Sequence, residues 1–307
     1  MNTQEISFLS ADGVHTVKGH IWLPEGTPRG VVQIAHGMID YVDRYTVLVD
    51  ALTAAGYAVG GADHLGHGHT AKGPEDYGYF ADKDGIGKVL ADLHTVTEKL
   101  RQAVPGAPVF LLGHSMGSFL TRLYAVTYGK ELAGVLICST GGRRFGTGAG
   151  IALCGLIAAF RGGRAHSAVV DKLAFGGYNK HFTPEEGPSA WLSRDADMRR
   201  THDADPLATF PFTVGGYRDL FRLVKKVNGK AWYRAYPKKL PTVLFAGTAD
   251  PVGAYGEGPR QVYQGLTDAG VQDLDLHLYE DARHELFWDS CKEEFTKDVV
   301  AWLNDRT

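Results

Sequence analysis

The chain has 307 residues, a net charge of −3 and a pI near 6.5. That balance gives no electrostatic case for nucleic acid or for strong attraction to an anionic membrane, and Met1–Glu5 lacks the basic-then-apolar pattern of a signal peptide. Three cysteines, Cys138, Cys154 and Cys291, form no paired motif, so a reducing, cytoplasmic location is the default expectation.

His15–Leu23 alternates apolar and polar residues like an antiparallel opening strand. Gly30–Ala35 is an apolar strand that runs into His36-Gly37-Met38, where Gly37 lets the chain turn and the Met38 N–H is a candidate donor to a substrate oxygen. The plainer reading of that segment is a strand-end turn. Tyr45–Ala55 reads as a helix and Tyr57–Ala62 as a buried strand. Asp63-His64-Leu65-Gly66-His67-Gly68-His69 follows, and closely spaced histidines beside a carboxylate are a metal pattern. No second cluster with metal spacing accompanies it. A turn in which Asp63 and His64 hydrogen-bond buried loop amides is the expectation, with no metal.

After a helix over Ile86–Val104, the apolar run Pro108–Leu112 leads into Gly113-His114-Ser115-Met116-Gly117, and Ser118–Val126 continues as a helix. A serine on a sharp strand-to-helix turn is strained, and flanking glycines let the backbones pass closely. Ser115 is therefore the candidate nucleophile, with the Met116 N–H at the helix start as a second oxyanion donor beside Met38. A serine needs a base and an orienting carboxylate, expected in the order Ser, acid, His on loops after later strands. Pro241–Gly247 is such a strand, and it places Asp250 on the following turn; Asp273 and Asp281 are alternatives on position alone. Leu274–Tyr279 alternates as a later strand, and His284 sits in the loop beyond it, whereas His277 lies within the strand and reads as structural. Cys291–Leu303 closes the chain as a helix.

Apolar strands alternating with helices predict an α/β fold with a mostly parallel central sheet and helices on both faces. The rhythm stops after Ala133–Ser139 and resumes near Val243. Residues 1–139 and 238–307 are thus expected to form the core, and 140–237 a helical cap or lid inserted over the sheet's catalytic end. Inside it, Ala149–Phe160 is apolar nearly all round yet too short to span a bilayer. Ile151, Leu153, Leu156 and Ile157 are the candidate substrate-binding residues if this helix lines an acyl tunnel. An alternative is a lid that makes transient membrane or micelle contact, with Arg143, Arg144, Arg161 and Arg164 near headgroups.

The motifs His36-Gly37-Met38 with Arg44-Tyr45, Asp63-His64-Leu65-Gly66-His67-Gly68, the Gly113–Gly117 elbow, Trp191-Leu192-Ser193-Arg194-Asp195, Asp205-Pro206-Leu207, Gly247–Pro251 and Arg283-His284-Glu285-Leu286 occur in an order that resembles the α/β-hydrolases of the monoacylglycerol lipase and bacterial lysophospholipase group, the serine aminopeptidase S33-like hydrolases. By that resemblance Ser115, Asp250 and His284 match the triad and Met38 and Met116 the oxyanion-hole amides, on an α/β-hydrolase fold with a cap. It implies hydrolysis of an ester in a lipid with a single acyl chain, most simply a monoacylglycerol. A lysophospholipid, a thioester or a small ester are alternatives, as is a lipid receptor on the same fold. No phosphate loop, dinucleotide fingerprint or cofactor lysine stands out, so no cofactor is expected.

Overall fold

The computed structural model describes residues 2–307. Eight strands form one sheet: β1 Asn2–Leu9, β2 Thr16–Leu23, β3 Val31–Ala35, β4 Ala58–Ala62, β5 Val109–His114, β6 Gly134–Cys138, β7 Thr242–Gly247 and β8 Leu274–Tyr279. Their spatial order is β1-β2-β4-β3-β5-β6-β7-β8. Pairs β1·β2 and β2·β4 are antiparallel and all others parallel, so β2 alone runs against the rest. The central strands β3 to β7 are buried along their whole length, as short apolar runs covered on both faces must be.

Helix α1, Thr46–Ala54, and helix α10, Lys292–Asn304, cover one face through Leu48, Leu52, Phe295 and Trp302. Helices α2, Gly85–Ala103, α3, Met116–Tyr128, and α9, Glu257–Asp268, cover the other through Leu93, Leu120 and Val262. The expected helices at 45–55, 86–104 and 291–303 match α1, α2 and α10 to within about one residue. The opening strand was expected at 15–23, but β1 precedes it. Only Ile6 of β1 is buried, because an edge strand has solvent along most of its length and shows no apolar alternation.

Between β6 and β7 lie helices α4 Thr147–Arg161, α5 Ala168–Phe175, α6 Ala196–Ala204, α7 Val214–Val227 and α8 Lys230–Ala235. The last of these returns to the core: Trp232 Nε1 donates to the Arg122 carbonyl of α3 at 2.7 Å. The fully buried Arg122 guanidinium stacks on the Trp232 ring at 4.6 Å and donates to the Val227 carbonyl at the end of α7 and to the Gly141 carbonyl. No described helix is long and apolar enough to cross a membrane.

Because β3 and β5 to β8 are parallel, the loops after them gather at one edge of the sheet. Behind that edge four buried histidines are held neutral. Burial, reinforced by neighbouring imidazoles, pushes His36 and His64 well below the usual histidine range. Burial brings His67 to about 4, and burial with His284 nearby does the same for His114. Each of the four takes up a proton on unfolding below about pH 6.5, so the unfolded chain binds more protons there. Asp63, raised to about 6 by burial, and Asp92 and Asp219, also raised by burial, oppose this, while Asp40, Asp12, Asp76 and Glu186, held below the usual carboxylate range, add to it. Stability should therefore be full above pH 6.5 and fall steeply toward pH 4, by up to about 1.4 kcal/mol per pH unit for each histidine. Urea melts at pH 7.5, 6 and 5 check this, and a flat profile over that range would contradict it.

Candidate active site

Ser115 stands between the last residue of β5 and the first of α3, with φ 54° and ψ −118°. A non-glycine residue in that region costs about 1–3 kcal/mol and persists only where its surroundings fix it. Here the Ser115 N–H donates to the Cys138 carbonyl at 3.1 Å, and its own carbonyl accepts from the Ser118 N–H and hydroxyl. Both flanking glycines are required by space. A Cβ on Gly117 would collide with the Ala35 carbonyl at the end of β3, and one on Gly113 with the Gly117 carbonyl and the Thr121 hydroxyl. As the first residue of α3, Met116 presents an N–H with no acceptor inside the helix.

Asp250 lies on the turn after β7, and His284 in the loop after β8, both buried. His284 Nδ1 donates to Asp250 Oδ2 at 3.0 Å, while Asp250 Oδ1 accepts the Val252 N–H at 2.8 Å. With the proton on Nδ1, assigned from this contact, Nε2 keeps a free lone pair. The His284 carbonyl accepts from the Ser139 hydroxyl at 2.6 Å and from His114 Nε2 at 3.2 Å, and Trp191 packs on its ring with centroids 5.0 Å apart. The structure brings neither other acid near it. Asp273 pairs with Arg306, and Asp281 is exposed with Arg194 at 3.9 Å. His277 faces Asp298 from within β8.

On the loop after β3, the Gly37 N–H donates to the Tyr45 hydroxyl at 3.2 Å and to Asp40 Oδ2 at 3.3 Å. The Tyr45 hydroxyl donates to Asp40 at 2.7 Å and meets His114 Nδ1 at 3.0 Å. Burial works to raise Asp40, but Arg44, His114 and the hydrogen bonds outweigh it and hold the carboxyl below its ordinary range. Burial and the Asp40 charge raise Tyr45, so its phenol stays protonated. Asp63 accepts the Val42 and His69 amides as expected, but the His64 amide is a donor to His36 Nε2. The His64 and His67 Nε2 atoms have no partner among the described residues.

Gly37, Met38, Ser115, Met116 and His284 together line a cavity of about 890 Å³. Its walls are mostly apolar, including Phe119, Val170, Phe210, Tyr217 and Phe221. Helix α4 contributes Thr147, Ala149 and Gly150, and this corrects the expected lining by Ile151, Leu153, Leu156 and Ile157. Leu153 and Ile157 pack against the hydrophobic core instead, and Leu156 is 59 % exposed. A helix apolar on every side gives no phase from which to choose its cavity face. The α7 residues Leu220, Phe221 and Val224 and the α5 residues Val170 and Ala174 escaped sequence reasoning, although the 3–4 residue spacing of the α7 set is a helical face.

A sequence profile described as serine aminopeptidase, S33 matches residues 26–290. The monoacylglycerol lipase of Mycolicibacterium smegmatis is 26 % identical over 303 residues, covering 97 % of this chain and 96 % of that protein. Human monoglyceride lipase is 27 % identical over 316 residues, covering 97 % and 90 %. Among solved structures, a thermostable carboxyl esterase from Bacillus coagulans superposes with a TM-score of 0.93 at 30 % identity, covering 100 % of this chain and 99 % of that one.

The space around the elbow yields a direct expectation. Gly117→Ala should lower stability by about 1–3 kcal/mol, since its methyl forces β3 and α3 apart. Unchanged urea denaturation would show that the approach of Ala35 to Gly117 is not constrained.

Proposed function

The chain belongs to the serine aminopeptidase S33 family, α/β-hydrolases of the monoacylglycerol lipase group, and from that premise we propose that it hydrolyses the ester of a lipid with a single acyl chain, most simply a monoacylglycerol. The observation that carries this reading is the pairing of His284 with Asp250 beside a largely apolar cavity that His284 and Ser115 both line. Ser115 Oγ attacks the ester carbonyl while His284 Nε2 takes its proton, and Asp250 holds the tautomer and stabilises the imidazolium. The Met38 and Met116 amides bind the tetrahedral oxyanion, each contributing on the order of 3 kcal/mol. His284 then protonates the departing alcohol, and water releases the fatty acid from the acyl-enzyme by the same route.

Residues 140–237 act in this reading as the cap that makes most of the cavity's apolar walls. Burying an acyl chain there supplies about 0.8 kcal/mol per methylene. Phe145 and Leu173, which border the cavity, and Phe160, exposed by 104 %, 70 % and 83 %, give the cap exposed apolar surface suited to transient contact with micelles or membranes. One observation favours a lysophospholipid as a second substrate. Among the described residues the Arg144 guanidinium, which borders the cavity, has no carboxylate partner; it donates to the Pro251 and Val252 carbonyls and stacks on Tyr178. Arg164, by contrast, is engaged by Asp76.

Initial rates on monoacylglycerols, lysophosphatidylcholine and short p-nitrophenyl esters, each below and above its aggregation threshold, test the assignment with Ser115→Ala as control. Preference for monoacylglycerol, with a rise in rate above the threshold, is the expected result. Preference for lysophosphatidylcholine that disappears in Arg144→Gln would replace the headgroup and keep the chemistry.

A further inference from the structure

Two residues of the motifs, Arg44 and Glu285, have no part in the chemistry above, yet they are the ones that join its loops. Arg44 lies in the short 3-10 turn Val42–Tyr45 that follows the Met38 loop, and Glu285 directly follows His284. The guanidinium grips Glu285 with both arms, NH1 to Oε1 at 3.1 Å and NH2 to Oε2 at 3.1 Å, and NH1 also donates to Asp40 Oδ1 at 2.9 Å. All three side chains are about nine-tenths or more buried. The Trp288 indole N–H adds a bond to the Arg44 carbonyl at 2.9 Å, and the Glu285 N–H donates to the Leu192 carbonyl at 2.8 Å.

A buried ion triad is a poor device for stability alone, because desolvation consumes most of its Coulombic gain and apolar side chains of similar volume often serve as well. Its value is geometric. A two-armed Arg–carboxylate grip fixes distance and angle between two segments, which packing of flexible apolar groups does not. There is something here to fix: Ile39, next to Met38, sits at φ 54°, a region that β-branched residues rarely occupy. Strain of that kind persists only when neighbouring contacts hold it. Asp40 supplies them on one side, accepting from the Gly37 and Tyr41 amides and the Tyr45 hydroxyl. Arg44 ties Asp40 in turn to the loop that carries His284.

We propose that Arg44 and Glu285 are positioning residues whose bridge to Asp40 sets the strained Met38–Ile39 segment against the His284 loop, fixing the oxyanion donor relative to the base. The inference rests on the hydrolytic reading of Ser115. Asp40 and Glu285 border the cavity, but Arg44 and the neighbouring donors take up their carboxylates, so the bridge acts through transition-state alignment and not through a contact with bound substrate. Its loss should therefore lower kcat and leave KM unchanged.

The test uses the full chain and p-nitrophenyl butyrate, at a temperature where far-UV circular dichroism shows every variant folded. Arg44→Lys keeps the charge and loses the two-armed grip, and Glu285→Gln keeps the shape and loses the ion pair. Arg44→Met/Glu285→Leu replaces the pair by apolar groups and leaves Asp40 its three other donors. Each should lower kcat by roughly ten- to a hundredfold, the scale of a small misplacement of reacting groups. Wild-type kcat in the folded double variant, or a loss confined to KM, would overturn the proposal while Ser115-dependent hydrolysis by the wild type upholds the functional reading. Absence of that hydrolysis in the wild type overturns both.

Discussion

The close approach of α3 to the ends of β3 and β5 is the constraint on which the rest of the site depends. Gly117 brings the helix start against the Ala35 carbonyl, and Gly113 lets the helix pass back over β5. Between them Ser115 adopts the strained conformation at φ 54°. That single turn lifts a hydroxyl clear of the sheet and aims the N-terminus of α3 at the space beside it. The parallel order of β5, β6, β7 and β8 then delivers the Asp250 and His284 loops to the same edge.

Around that turn several buried polar groups are held by one another. Tyr45, Asp40, His114 and the Gly37 amide form one connected set, and the His284 carbonyl is held by Ser139 and His114. In a low-dielectric interior such groups are costly unless every partner is present. Burial keeps His114 neutral, and its Nε2 N–H donates to the His284 carbonyl. The network is thus rigid for the reason that it is buried, and rigidity is what preorganised stabilisation of a developing oxyanion requires.

Much of this was legible in the amino-acid order, for reasons that differ by element. The elbow, the Asp250 turn and the His284 loop are local patterns of glycines, apolar runs and strand ends, and they survive folding unchanged. The position of α4 is local too, but its cavity face is not: an all-apolar helix is turned by its neighbour α7, which places Gly150 against Phe221 and Leu156 in solvent. β1 was illegible because an edge strand buries one side chain. The Arg44–Glu285 bridge spans 241 positions of chain, and no spacing rule encodes a contact of that range.

The most direct measurement of the central claim is covalent labelling by a fluorophosphonate, with intact mass and peptide mapping of the adduct. One equivalent on Ser115, abolished by His284→Ala and retained at a reduced rate in Asp250→Asn, is the predicted result. Labelling elsewhere, or labelling of Ser115 at the same rate without His284, would contradict an activated serine at the elbow.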